Sequence, residues 1–227
     1  MGEKGGYIFI ACKQCGSVMT DPLITQDGLD GFFGEVQPQV THVPHPEREI
    51  TYMQRRITKL MQAGTKGTGK RFLDVCCRQG YAVKAARGLG FQAMGIDPHD
   101  FYIKFAREKW GAEHFEQSTP QDYAARGQQA DIVFSFLGFS EQPDVDVYAA
   151  ALAKIVAPEG KIYIEESDGN SFWLPRKFTK WDYVEPPLNF IYPSRKGMIA
   201  VLKRHGLKVE SKLFGLGPFM RLVVVKA

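Results

Sequence analysis

The sequence predicts an α/β fold, a doubly wound parallel sheet finished by an antiparallel hairpin. Three observations carry that expectation. The stretch RFLDVCCRQGYAVKAARGLGFQAMGID, Arg71 to Asp97, reads as strand, tight turn, helix, strand and acidic stop. Further short apolar runs alternate with amphipathic stretches up to residue 165, the rhythm of βαβ units. Two last runs, Leu207–Phe214 and Phe219–Lys226, are joined through Gly215, Leu216, Gly217 and Pro218, which suits a hairpin.

The opening unit sets the chemistry. Phe72, Leu73 and Val75 suit a strand buried on both faces. Residues 76–80 make the turn, and Val83, Ala86 and Leu89 stripe the helix, which Gly88 and Gly90 close. Phe91 to Ile96 returns as a second buried strand and stops at Asp97-Pro98. Free backbone N–H groups at the helix start attract an anion, and a carboxylate after the second strand can accept two ribose hydroxyls. The unit is therefore read as the nucleoside-binding half of the fold.

This stretch resembles the S-adenosylmethionine (SAM) site of class I methyltransferases, whose first motif is LDxGCGxG. The chain has LDVCCRQG: Leu73, Asp74, Cys77 and Gly80 match, while Cys76 and Arg78 stand where glycines are expected. The resemblance implies a Rossmann-like seven-stranded sheet and SAM as cofactor. It implies that Cys76, Arg78 and Gly80 line the methionine arm, that Asp97 and Pro98 meet the ribose, that Asp122 meets the adenine, and that Asp74 is also among the cofactor-binding residues. Arg78 either grips the cofactor carboxylate or adds bulk that damages the pocket.

Before this unit, Tyr7–Ala11 is a short strand and Cys12-Lys13-Gln14-Cys15-Gly16 a CxxC turn, half of a zinc ribbon. The run ACKQCGSVMTDPLITQDGLDGFF resembles the second knuckle found in front of some of these methyltransferases. His42 and His45 could complete a Cys₂His₂ zinc set, but one CxxC alone favours two reduced thiols on a vestigial turn, so no metal is expected. Pro46 opens a helix that Gly64 ends. Ile50, Met53, Ile57, Leu60 and Met61 make its apolar face and Arg55, Arg56 and Lys59 lie mostly opposite. That helix is read as a lid over the cofactor or as packing at the sheet edge.

After the unit come a helix over Asp100–Trp110, a third strand at His114–Gln117 and a loop holding Asp122, which could equally cap a turn. Ala130–Leu137 is a fourth strand resembling the family's FDxV. Glu141-Gln142 then stands where relatives of ubiquinone O-methyltransferases carry Glu-His, and Asn189 where His is common. Val147–Val156 is a helix, and Pro158-Glu159-Gly160 leads into strand five, Lys161–Glu165. With both histidines replaced, a general base would be Glu141, Tyr183 or Tyr192, and a pre-ionised acceptor would need none.

Ser167 to Pro193 holds seven aromatics and four prolines without a period. It follows strand five on the side where such sheets bind ligands, and is read as a substrate cap or as aromatics packing the loop down. Trp173, Trp181, Tyr183, Phe190 and Tyr192 could wall the acceptor, with Arg176, Lys177 and Lys180 for an anion. Ser194 then caps a helix.

The chain thus divides into a CxxC extension (1–45), a packing or lid helix (46–66), a methyltransferase core (67–166 and 194–227) and an aromatic cap (167–193). At 227 residues, 44% hydrophobic and 24% charged, it has the composition of a soluble globular protein. A net charge of +4 is compatible with an anionic small molecule and too weak to argue nucleic acid. No apolar run approaches a membrane span, no export signal is visible, and the cysteine usage fits a reducing cytoplasm. A dimer is compatible with the cap aromatics. The function expected is methyl transfer from SAM to a small molecule; the alternative is an inactive relative that binds SAM or a partner.

Overall fold

The computed structural model describes every residue except 26, 30, 34, 36–44, 62–66 and 214–216, and only the backbone of residues 60 and 61. His42, Gly64, Gly215 and Leu216, and the side chains of Leu60 and Met61, therefore lie outside the described residues. Three short strands come first: β1 (Gly2–Lys4), β2 (Tyr7–Ala11) and β3 (Val18–Asp21). Helix α1 (Pro46–Met61) follows, with Glu47 and Glu49 in its first turn and Lys59 in its last, each favourable to the helix dipole.

The core then runs β4 (Arg71–Val75), α2 (Tyr81–Gly88), β5 (Gln92–Asp97), α3 (Asp100–Trp110), β6 (Phe115–Gln117), α4 (Pro120–Ala125), β7 (Ala130–Phe136), α5 (Val145–Ile155) and β8 (Val156–Ser167). A two-residue strand, β9 (Ile191–Tyr192), precedes α6 (Arg195–Arg204), β10 (Leu207–Lys212) and β11 (Phe219–Lys226). Strands β10-β11-β8-β7-β4-β5-β6 form one seven-stranded sheet, in that order. Its centre is parallel, and β11 pairs antiparallel with both β8 and β10. This is the doubly wound sheet with a closing hairpin that the sequence predicts. Strand five is longer than expected because Val156 already bridges to Ala130 before the register shifts.

Alternation along the strands sorts side chains to two faces. Leu73, Val133, Ile162 and Leu222 bury against α5 and α6, through Tyr148, Leu152 and Met198. Phe72, Phe134, Tyr163 and Val223 bury on the opposite face against α1, α2 and α3, through Ile57, Val83 and Ile103. Arg56 does not point to solvent as the helical pattern suggests. It turns inward from α1 and forms an ion pair with Glu165 at the end of β8, which Arg221 also meets at 3.0 Å. The guanidinium also lies over the rings of Tyr52 and Phe136.

The front and the cap are not separate appendages. β1, β2, β3 and β9 form a four-stranded antiparallel sheet, with Val18 opposite Tyr192 and Met19 opposite Ile191. Phe9, Val18, Phe178, Trp181, Val184 and Tyr192 bury together on it. The cap aromatics divide accordingly. Trp181 and Tyr192 pack inside this small sheet, whereas Phe172 and Trp173 stand 87% and 50% exposed.

Candidate active site

The crevice lies where the chain leaves β4 and β7, on opposite sides of which the strand order runs outward, the usual ligand position in such sheets. After Val75 the backbone enters the left-handed region at Cys76 (φ 61°), Arg78 (φ 48°) and Gly80 (φ 77°). At Gly80 the reason is steric as well as torsional: a Cβ there would sit 2.5 Å from the Phe115 ring. At positions 76 and 78 the backbone takes a glycine-like path in spite of the side chains, at roughly 1–2 kcal/mol each. Hydrogen bonds hold that path. Cys77 N–H donates to Ile96 O (2.9 Å), Gly80 N–H to Cys77 O (2.9 Å), and Trp110 Nε1–H to Gln79 O (2.9 Å).

Asp97 is buried at the end of β5. Its Oδ2 accepts from Arg78 N–H at 2.9 Å, and its Oδ1 from His99 N–H at 3.0 Å, with His99 Nδ1 also at 3.0 Å. This carboxylate forms part of the wall of a cavity of about 570 Å³. Leu29, Phe33, Phe101, Tyr102 and Pro98 supply apolar surface there, and Thr119, Pro120 and Gln121 another rim. The His99 ring lies 4.0 Å from that of Phe33, tilted by 47°. A second cavity, of about 250 Å³, lies on the other side of the turn, between Asp74, Gln79 and Tyr81 below and Glu49 and Met53 of α1 above. Cys76 and Arg78 line both cavities, so the turn divides one crevice into two compartments.

Burial, then the neighbouring Asp97, pushes the Asp74 carboxyl well above its usual range. Burial likewise pushes the Cys76 thiol up to about 12, so it stays protonated and unreactive near neutral pH. Across the crevice, Leu137 is the remaining non-glycine residue with positive φ (58°) among those described. The short turn Phe139–Glu141 follows. Glu166, fully buried at the end of β8, accepts from Phe139 N–H (3.0 Å) and Ser140 N–H (3.1 Å) through one oxygen. Its other oxygen accepts from Ser167 N–H (2.8 Å) and Oγ–H (3.1 Å). The turn so fixed aims Glu141 into the larger cavity, where it forms an ion pair with Arg78.

The structure gathers Asp74, Cys76, Arg78, Asp97, Pro98 and Glu141 around this crevice, with Gly80 buried in the turn beside it. It places the remaining candidates elsewhere. Asp122 is exposed in α4, exchanging hydrogen bonds with its N-cap Thr119: Thr119 Oγ to Oδ2 at 2.7 Å and Asp122 N–H to Thr119 Oγ at 3.0 Å. Its neighbours Thr119, Pro120 and Gln121 reach the cavity wall instead. Tyr192 is fully buried in the small sheet and donates to Asn189 O (2.9 Å) and Tyr183 O (3.2 Å). Tyr183 packs edge-on against Phe219. Asn189 Oδ1 accepts from Ser140 Oγ–H at 3.1 Å. Cys12 and Cys15 are free thiols, and backbone amides of Cys15 and Gln14 lower the Cys12 pKa. Among the described residues no group of three or more His, Cys, Asp or Glu is disposed to hold a metal.

Sequence reasoning missed Leu29 and Phe33, which roof the larger cavity, and His99 and Glu166. His99 had a signal, standing two residues past the acid in GIDPH. The roof had none, since it depends on where a distant segment folds back.

A family profile described as a methyltransferase domain matches residues 45–212. The chain belongs to this methyltransferase domain family. A ubiquinone biosynthesis O-methyltransferase of Thiobacillus denitrificans is 31% identical over 108 residues, covering 45% of this chain and 47% of that protein. A namesake from Rhizobium etli is 23% identical over 157 residues, covering 61% of this chain and 63% of its own length. The chain thus spans about half to three-fifths of the curated methyltransferases it matches. Among solved structures, a magnesium protoporphyrin IX methyltransferase from Synechocystis PCC 6803 with bound S-adenosylhomocysteine (SAH) superposes with TM-score 0.66 at 13% identity. It covers 89% of this chain and 100% of that one. A SAM-dependent methyltransferase from Bacteroides fragilis in complex with SAH gives 0.59 at 17% identity, covering 77% of each chain. At such identities these structures establish the shared Rossmann-like fold of the methyltransferase family and no more. Among the described residues no helix is long and apolar enough to cross a membrane.

Proposed function

We propose that the protein is a SAM-dependent methyltransferase acting on a hydroxyl of a small-molecule acceptor. The observation that carries this reading is the divided crevice with Asp97 in its larger compartment and Asp74 in its smaller one. Asp97 Oδ1 meets His99 N–H and Nδ1, both at 3.0 Å, and Oδ2 accepts from Arg78 N–H at 2.9 Å, which orients the carboxylate and leaves a lone pair of Oδ2 for a ribose hydroxyl. Phe33, Phe101 and Tyr102 suit the flat face of an adenine. Asp74 is buried and lines the smaller compartment, where it would face the ammonium group of the methionine arm. The residues present therefore fit the cofactor. The names of the curated relatives support a hydroxyl acceptor.

When bound, the cofactor supplies an electrophilic methyl on a sulfonium. The protein's own residues have the lesser task of alignment, water exclusion and proton removal. The turn 76–80 fixes the floor, Leu29 and Phe33 roof the adenosine side, Met53 closes the methionine side, and Glu141 is the base within reach of the cavity. Calorimetric titration with SAH tests the reading. The wild-type chain should bind it, and Asp97→Asn should weaken binding by about tenfold or more, the worth of a charge-assisted hydrogen bond. Absence of heat at millimolar SAH for the wild-type chain would refute it.

A further inference from the structure

Arg78 occupies a left-handed backbone position that glycine fills without strain, and its side chain lines the crevice in which the proposed cofactor would carry a sulfonium. Beside a sulfonium a bare guanidinium is repulsive: about 3 kcal/mol at 5 Å with an effective dielectric of 20. Strain and repulsion together call for an anion at this point. In the structure that anion is Glu141. The pair faces the cavity rather than the core, with the Arg78 side chain 33% exposed and that of Glu141 13%. The other basic residue on the cavity wall, His99, is already engaged with Asp97. Gln142 and Asn189 hold no basic nitrogen, and their amides are spent on Cys76 Sγ (3.8 Å) and Ser140 Oγ (3.1 Å).

We propose that Arg78 and Glu141 are a catalytic pair for an acidic hydroxyl, a phenol or enol: Glu141 takes the proton and Arg78 binds the oxyanion left behind. This rests on the methyltransferase reading above. The charge count closes. The acceptor O–H breaks and its proton passes to the Glu141 carboxylate. The negative charge moves to the acceptor oxygen, which exchanges places with the carboxylate as the partner of Arg78. An oxygen lone pair then forms the new bond to the methyl carbon, the carbon–sulfur pair stays on sulfur, and a neutral thioether leaves. Glu141 returns its proton to water. Net charge in the crevice is the same before and after transfer, and Arg78 regains its ion pair when Glu141 gives its proton to water. An alcohol of ordinary acidity would gain too little from one guanidinium, which selects phenols and enols over aliphatic alcohols.

The test uses 4-nitrophenol, whose ionisation is visible in its absorbance, bound to the full chain in the presence of SAH. The wild-type complex should lower the nitrophenol pKa by about 1–3, the effect of a cation in contact. Arg78→Gly, which relieves the backbone, should abolish that shift when nitrophenol is titrated at SAH concentrations shown to saturate the variant. Methyl transfer from SAM to a series of substituted phenols should fall by about 10²–10³ in the same variant, most for the least acidic members. Glu141→Gln should remove the rising limb of the pH–rate profile. The proposal fails if SAH binds but nitrophenol does not, if the bound nitrophenol keeps its solution pKa, or if Arg78→Gly transfers methyl at the wild-type rate. Failure of SAH itself to bind would instead strike the underlying reading, and this one with it.

Discussion

Gly80 marks the place in the turn beneath the crevice where a side chain has no room. Its backbone is left-handed, it starts α2, and Phe115 and Trp110 close over the space a Cβ would need, at 2.5 and 3.2 Å. Gly80→Ala is expected to destabilise the chain by roughly 2–4 kcal/mol, torsional strain plus overpacking, read as a lower urea midpoint with the slope unchanged. Retention of the wild-type midpoint would mean the turn relaxes freely. Asp97 and Gly80 were legible in the sequence because each is demanded by local geometry, one by the strand end and one by the turn. The direction of Arg78 was not. Its backbone position could be inferred, but its side chain answers to Glu141, 63 positions away, a pairing no local pattern encodes.

Among the elements, the short turn Phe139–Glu141 depends on one buried carboxylate. Desolvation pushes Glu166 up to about 7 from its ordinary 4.5, against the hydrogen bonds from Ser167 and Ser140 that pull it down. The folded chain therefore holds this proton more tightly than the unfolded chain. The stabilisation is complete below about pH 4.5 and is lost as pH rises through about 7, on the order of 3 kcal/mol in all. Glu166→Gln keeps the shape and removes the titration. Urea unfolding at about pH 5 and pH 8 should show the variant losing less stability than wild type between the two. Equal losses in both proteins would show that Glu166 does not titrate in that window. The sequence disclosed β8 but not this role, since a glutamate at a strand's end is ordinarily solvated. Most strands and helices were legible from apolar periodicity. The exceptions are informative: Asp122 fell in a helix rather than a loop because Thr119 and Pro120 supply an N-cap and a first position.

At the scale of the molecule, the crevice is roofed by segments far apart in the chain. Leu29 and Phe33 bury with Tyr102, Phe190 and Ile191, and Phe190 is clipped from both sides: its N–H donates to Ser140 O (3.1 Å) and its O accepts from Thr20 N–H (2.9 Å). Phe33→Ala should therefore weaken SAH binding by about tenfold, through lost aromatic contact with the adenosine compartment. It should also lower the urea midpoint, by roughly 3–5 kcal/mol of stability, because Phe33 is buried with Leu29, Tyr102, Phe190 and Ile191, so affinity is measured where the variant is still folded. Unaltered affinity would place the roof outside the binding step. The overall sheet was readable because its order follows from βαβ handedness and the hairpin. The roof and the small sheet were not, because register between residues near 20 and near 190 leaves no periodic trace. That same pairing has a temporal consequence. β3 cannot meet β9 until some 170 further residues have been made, about 10–30 s of synthesis. During that interval the hairpins at the front of the nascent chain expose Phe9 and Val18 to whatever waits outside the ribosome, so chaperone capture should centre there until the last partner emerges.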